Sequence, residues 1–173
     1  MDARRESEPA PMKNRTTVER KSERELVVTR TFDGPARMVF EAWTKPELLK
    51  RWWVPKSMGT SMSLLECEMD VRAGGTYRMV LGVYGTEMEV FGRYIEVTPH
   101  SRLVWTNDEG DDGGPVTTVT FEEKAGKTLL VVHDLYPSKE ALDAAMASGS
   151  TGGMPEQLDA LDELLVSLGE RGV

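Results

Sequence analysis

Between Ser61 and Leu135 the chain runs through six β-rich segments separated only by turns and short loops. Strands joined that closely cannot lie parallel, because a parallel crossover needs a dozen or more residues. The region therefore reads as an antiparallel meander, and other elements must cover one of its faces. Strands are expected at 61–69, 75–83, 86–98, 102–107, 116–122 and 127–135. The paired glycines Gly74-Gly75 mark one turn and Ala125-Gly126 another. Residues 108–115 are an acidic, glycine-rich hairpin loop, read as a solvated tip. In the long segment 86–98, Glu87 and Glu89 have the opposite parity to Glu96. A bulge is expected there, with Gly92 as its natural place.

The flanks supply the cover. Residues 26–32 form one more strand. Asp33-Gly34-Pro35 ends it, and Ala36, Val39, Phe40 and Trp43 then recur at helical spacing. A second short helix runs from Glu47 to Trp53 and stops at Pro55. After the meander, Ser138 is expected to cap a helix over 138–147. A glycine-rich break precedes the longest helix, 155–168, whose Leu158, Leu161, Leu165 and Leu168 form a stripe widened by Leu164. The expected fold is thus α+β: a curved antiparallel sheet of seven strands wrapped around a long C-terminal helix, with two short helices after the first strand. The space between helix and sheet is either packed shut or left as a pocket.

Residues 1–24 differ from the rest. They hold seven basic and five acidic residues, two prolines and almost nothing apolar. Such a segment buries too little to offset its ordering entropy, so it is expected to be a disordered arm, leaving 25–169 as the domain. Met12 inside it is a second possible start. The whole chain has 173 residues and a formal charge of −8, nearer −10 without the arm. That acidity argues against nucleic acid as the main partner. One cysteine excludes an intramolecular disulfide, and two histidines exclude a three-histidine zinc site. No secretory leader or membrane-spanning stretch is read, so the expected location is cytoplasmic.

The order of elements and the local sequence resemble a known family. The residues that carry this are Phe32-Asp33-Gly34-Pro35-Ala36, Val39-Phe40, Trp43-Thr44, Pro46-Glu47-Leu48-Leu49 and Trp52-Trp53; the turn Asp70 to Gly75 with Tyr77; Gly92-Arg93-Tyr94 to Pro99 with Arg102-Leu103-Val104; and Tyr136-Pro137-Ser138 leading to Leu158, Leu161 and Leu165. Together they look like the homologues of the activator of the 90-kDa heat-shock protein's ATPase, within the START-like (SRPBCC) superfamily. The resemblance spans about 25–168 and implies the helix-grip fold, with a cavity under the terminal helix for apolar or aromatic small molecules. One departure lies in the insertion Gly149 to Met154, where many relatives run on directly.

On that fold the candidate lining residues are Trp43, Trp53, Tyr77, Met79, Met88, Trp105, Val131, His133, Met154 and Leu158. Core packing alone would also account for each of them. If Leu129, Val131 and Leu135 face inward, so does His133, which could then anchor a polar group or act as acid or base. His100 is expected to be exposed in a turn. Arg72 either pairs with nearby acids or holds a carboxylate or phosphate. Cys67 reads as a buried strand residue. Of the adjacent Trp52 and Trp53, one faces the sheet, and an exposed Trp52 would mark a partner or homodimer surface. No phosphate loop, nucleophile elbow or His-Glu-x-x-His motif is present, and no cofactor or metal is expected. Three functions stay open: binding of a hydrophobic small molecule without turnover; a hydrolase- or cyclase-like enzyme using His133; and a chaperone ATPase-activating cofactor, for which the single domain offers no second clamp.

Overall fold

The meander forms as its turns require, and two strands that precede it in the chain extend the sheet beyond its last strand. In the computed structural model, which describes residues 16–54, 56–108, 114–148 and 153–172, the strands are β1 Thr17–Arg20, β2 Glu25–Phe32, β3 Met62–Met69, β4 Thr76–Val83, β5 Thr86–Thr98, β6 Arg102–Thr106, β7 Val116–Lys124 and β8 Lys127–Leu135. The helices are α1 Ala36–Thr44, α2 Pro46–Leu49, α3 Lys139–Ala147 and α4 Met154–Gly172, with a 3-10 segment at Lys56–Ser61. All strand pairs are antiparallel, in the order β1-β2-β8-β7-β6-β5-β4-β3. The tip of the acidic hairpin and most of the glycine-rich break at 149–153 lie outside the described residues. So do residues 1–15 of the expected arm.

The sheet has eight strands, not seven, because the end of that arm is ordered. Thr17 to Arg20 pair with Thr29 to Leu26 of β2. An edge strand needs only backbone partners, so a polar sequence does not prevent it. Side chains then secure it: the Arg20 guanidinium donates to the carbonyls of Ser22 and Glu23 and meets Asp143 of α3 at 2.7 Å.

One face of the sheet is the core face. Leu26, Val28, Arg30 and Phe32 of β2, Thr117, Val119 and Phe121 of β7, and Thr128, Leu130 and Val132 of β8 are all buried on it. The expected leucine stripe packs there, with Leu158, Leu161, Leu164 and Leu165 buried. Arg30 is the charged exception. Its guanidinium donates to Asp159 and, at 2.9 Å, to Asp162, tying α4 to β2. Its charge also lies 5.4 Å from the Phe32 ring centroid.

Three local expectations are refined. The bulge in β5 falls between Tyr94 and Glu96, beyond Gly92. Gly92 serves a close approach instead: a Cβ there would lie 2.0 Å from the Thr106 carbonyl oxygen and 2.9 Å from the Tyr77 ring. Trp52 is fully buried, and its Nε1 donates to the Ala42 carbonyl at 3.0 Å, so it marks no partner surface. Ser138 caps α3 as expected, accepting from the Ala141 N–H at 3.0 Å. No helix among the described residues is long and apolar enough to cross a membrane.

Candidate ligand-binding cavity

The leucines of α4 close the middle of the core face, but the first turn of α4 stands over a gap. The gap is a partly open cavity of about 350 Å³ between the sheet, α1, the segment after α2 and the start of α4. Trp43, Trp53, Tyr77, Met79, Trp105 and Met154 line it. Their rings form a continuous wall. Tyr77 and Tyr94 have centroids 5.8 Å apart, Tyr94 and Trp105 6.4 Å, Trp105 and Trp43 5.9 Å, and Trp43 and Trp53 6.5 Å. Trp43 Nε1 is buried without a hydrogen-bond partner. Gln157 of α4 donates to the Trp53 carbonyl, which holds the helix start against this wall.

The other four expected residues lie elsewhere. Leu158 is fully buried in the packed core. Met88 has the core-face parity of its partner Leu81 but is half exposed and does not line the cavity. Val131 and His133 face the opposite side of β8, since the buried positions are Thr128, Leu130 and Val132. The parity expected for β8 is therefore wrong by one residue. His133 pairs with Glu25 of β2 on the outer face, Nε2 to Oε2 at 2.8 Å. Its proposed acid or base role inside the cavity has no geometric support.

The correct parity brings Asp134 to the cavity. It ends a directed string of hydrogen bonds across β4, β6, β7 and β8. The Tyr77 hydroxyl lies 2.8 Å from the Thr106 carbonyl and 3.2 Å from Asn107 Oδ1. Asn107 Nδ2 donates to the Pro115 carbonyl at 2.7 Å and to Thr117 Oγ1 at 3.0 Å. The Thr117 hydroxyl donates to Asp134 Oδ1 at 2.6 Å. These partners fix the orientation of the Asn107 amide, since a flipped amide would face oxygen to oxygen. Burial pushes the Asp134 carboxyl above its ordinary range, against the opposing pull of the Thr117 bond and the nearby His133. Burial, with the charge of Asp134 beside it, also pushes the Tyr136 phenol up to about 12. Tyr94 is raised by burial too.

The remaining singled-out residues are structural. Arg72 donates to both oxygens of Asp70, at 3.1 and 2.9 Å, and is exposed. His100 is exposed at φ 67 and sets its ring edge-on to Phe40, 5.5 Å between centroids. Cys67 is half-buried, and burial raises its thiol. No group of His, Cys, Asp and Glu suited to a metal occurs among the described residues.

Residues 33–166 match the sequence model of the family described as Activator of Hsp90 ATPase homolog 1-like protein. The chain belongs to that family. No curated protein matches it. Solved structures of similar shape include a protein from Rhodobacter sphaeroides, 27% identical with a TM-score of 0.78 over 88% of this chain and 99% of that one. One from Staphylococcus epidermidis is 26% identical, with a TM-score of 0.72 over 87% and 94%. One from Nitrosomonas europaea shares the fold at 24% identity, with a TM-score of 0.77 over 87% and 99%. The helix-grip architecture expected of this family is thus the architecture observed.

Within this family member, sequence reasoning missed the polar half of the cavity: Asn107, Thr117, Asp134 and Tyr136. One signal was present. Asp134 is the one acid in the strand that starts at Lys127, at the parity of Leu130 and Val132.

Proposed function

We propose that the protein binds a small apolar or aromatic molecule in this cavity and does not turn it over. The observation that carries the reading is the wall of five linked aromatic rings around an unfilled space of about 350 Å³. A mostly apolar concavity with a few convergent polar groups is the usual form of a small-molecule site. The alternative of an enzyme rested on His133, which pairs with Glu25 on the outer face of the sheet. A cytoplasmic location fits the single unpaired cysteine. The chaperone-cofactor role in the family's description ranks below ligand binding, which has the cavity in its favour.

The test is a titration with the neutral fluorophore N-phenyl-1-naphthylamine, read by its emission. Saturable one-to-one binding is expected. Val90→Trp, which fills the cavity from the β5 side, is expected to weaken it about tenfold or more while the melting temperature is kept. No saturable signal in the wild type, or unchanged affinity in Val90→Trp, would refute the reading.

A further inference from the structure

The hydrogen-bond string along the cavity has a direction, and the direction has a consequence for the ligand. Both amide hydrogens of Asn107 are committed, to Pro115 and to Thr117. The Thr117 hydrogen is committed to Asp134 Oδ1. The string therefore delivers its donors inward along the wall and ends on an acceptor. The second oxygen of Asp134 makes no hydrogen bond to a described residue, and Asp134 lines the cavity. Among the described residues lining the space there is no Lys, Arg or His, so Asp134 stands as its one charged side chain. The aromatic rings that line the same space are electron-rich on their faces, which attract cations and not anions.

We propose that the ligand is an organic cation, an apolar or aromatic body carrying a protonated nitrogen that donates to the free oxygen of Asp134. The proposal rests on the cavity reading above and narrows it to a ligand class. A carboxylate placed in a partly buried site without a cationic neighbour on that side is costly to ionise. Its raised pKa records that cost, and a bound ammonium would relieve it. Charge-assisted N–H···O bonds are also about twice as strong as neutral ones. A ligand carboxylate or phosphate would meet repulsion at the same position.

The experiment compares three probes of one shape by calorimetry: 2-naphthylmethylamine, 2-naphthylmethanol and 2-naphthoate. In the wild type at neutral pH the amine is expected to bind about tenfold or more tighter than the alcohol. The carboxylate is expected to bind most weakly. In Asp134→Asn, which keeps an acceptor for Thr117 but removes the charge, the amine-to-alcohol ratio is expected to fall to near one. A thermal melt checks that this variant is folded. Equal binding of amine and alcohol in the wild type overturns the proposal, as does preference for the carboxylate, or an amine advantage that survives Asp134→Asn. In each of those cases the alcohol still binds and the cavity reading stands. Binding of none of the three refutes the cavity reading, and this inference with it. The wild-type comparison decides the matter even if the variant does not fold.

Discussion

Two neighbours on β8 meet opposite surroundings. His133 faces outward and shares a proton-bearing contact with Glu25, both at the rim of solvent. Asp134 faces inward, one oxygen held by Thr117, and lines the aromatic cavity. The two carboxylates shift in opposite directions. Glu25 is held below its ordinary range, first by the His133 hydrogen bond and then by that of Ser22. Asp134 is pushed above it by burial. A single step along a strand reverses the environment, so strand parity decides which titratable group is available to a ligand.

The sharpest way to break this comparison is to place the same charge on both faces. Leu130 is fully buried on the core face, away from the cavity, and Val131 is half-buried on the other. Leu130→Lys strands an ammonium in the core and is expected to cost about 4 kcal/mol or more. Val131→Lys lets the stem lie along the sheet with its head in water, and is expected to cost within about 1 kcal/mol. Urea unfolding of both variants measures the difference. Similar losses would show that the two faces are not distinct.

Ligand binding separates the faces next. Trp105 bridges Tyr94 and Trp43 in the aromatic wall. Trp105→Ala is expected to weaken N-phenyl-1-naphthylamine about tenfold, the worth of one lost aromatic contact. His133→Gln is expected to leave that affinity as it is. A loss with His133→Gln equal to that of Trp105→Ala would return His133 to the cavity.

How much of this was legible beforehand follows from which signals have physical teeth. The meander, the cap at Ser138 and the leucine stripe of α4 each rest on strong local rules, and each formed. The parity of β8 did not rest on one. Leu129, Leu130, Val131 and Val132 are apolar in succession, so alternation is absent where it was needed. The outer face is itself half-buried, which permits apolar residues on both sides. Met88 failed for a different reason. Its parity was right, but nothing local tells how far along a strand the cover extends. β1 failed because edge pairing uses the backbone, which every sequence has. The six aromatic, methionine and tyrosine positions that do line the cavity were legible because bulky residues at core parity gather wherever the sheet is concave.

Acid titration gives the smallest effects and the most specific ones. Asp134 has a raised folded pKa, so its contribution to stability is fully present below the unfolded value, near 3.9, and is lost as pH rises through the folded value. Asp134→Asn removes that loss. The variant is expected to gain on the wild type as pH rises from 4 to 7. Glu25 has the opposite sign. Its folded pKa is lowered, so it contributes stability above the unfolded value that is lost as pH falls through the folded one. Glu25→Gln is therefore expected to melt slightly below the wild type at pH 7 and level with it in strong acid. The two variants should thus diverge in opposite directions from one wild-type curve at neutral pH and converge on it in acid. Paired melts across pH 3 to 7 would show this. Shifts of the same sign at pH 7 would mean that both carboxyls sit in one kind of environment, and that the inward placement of Asp134 is wrong.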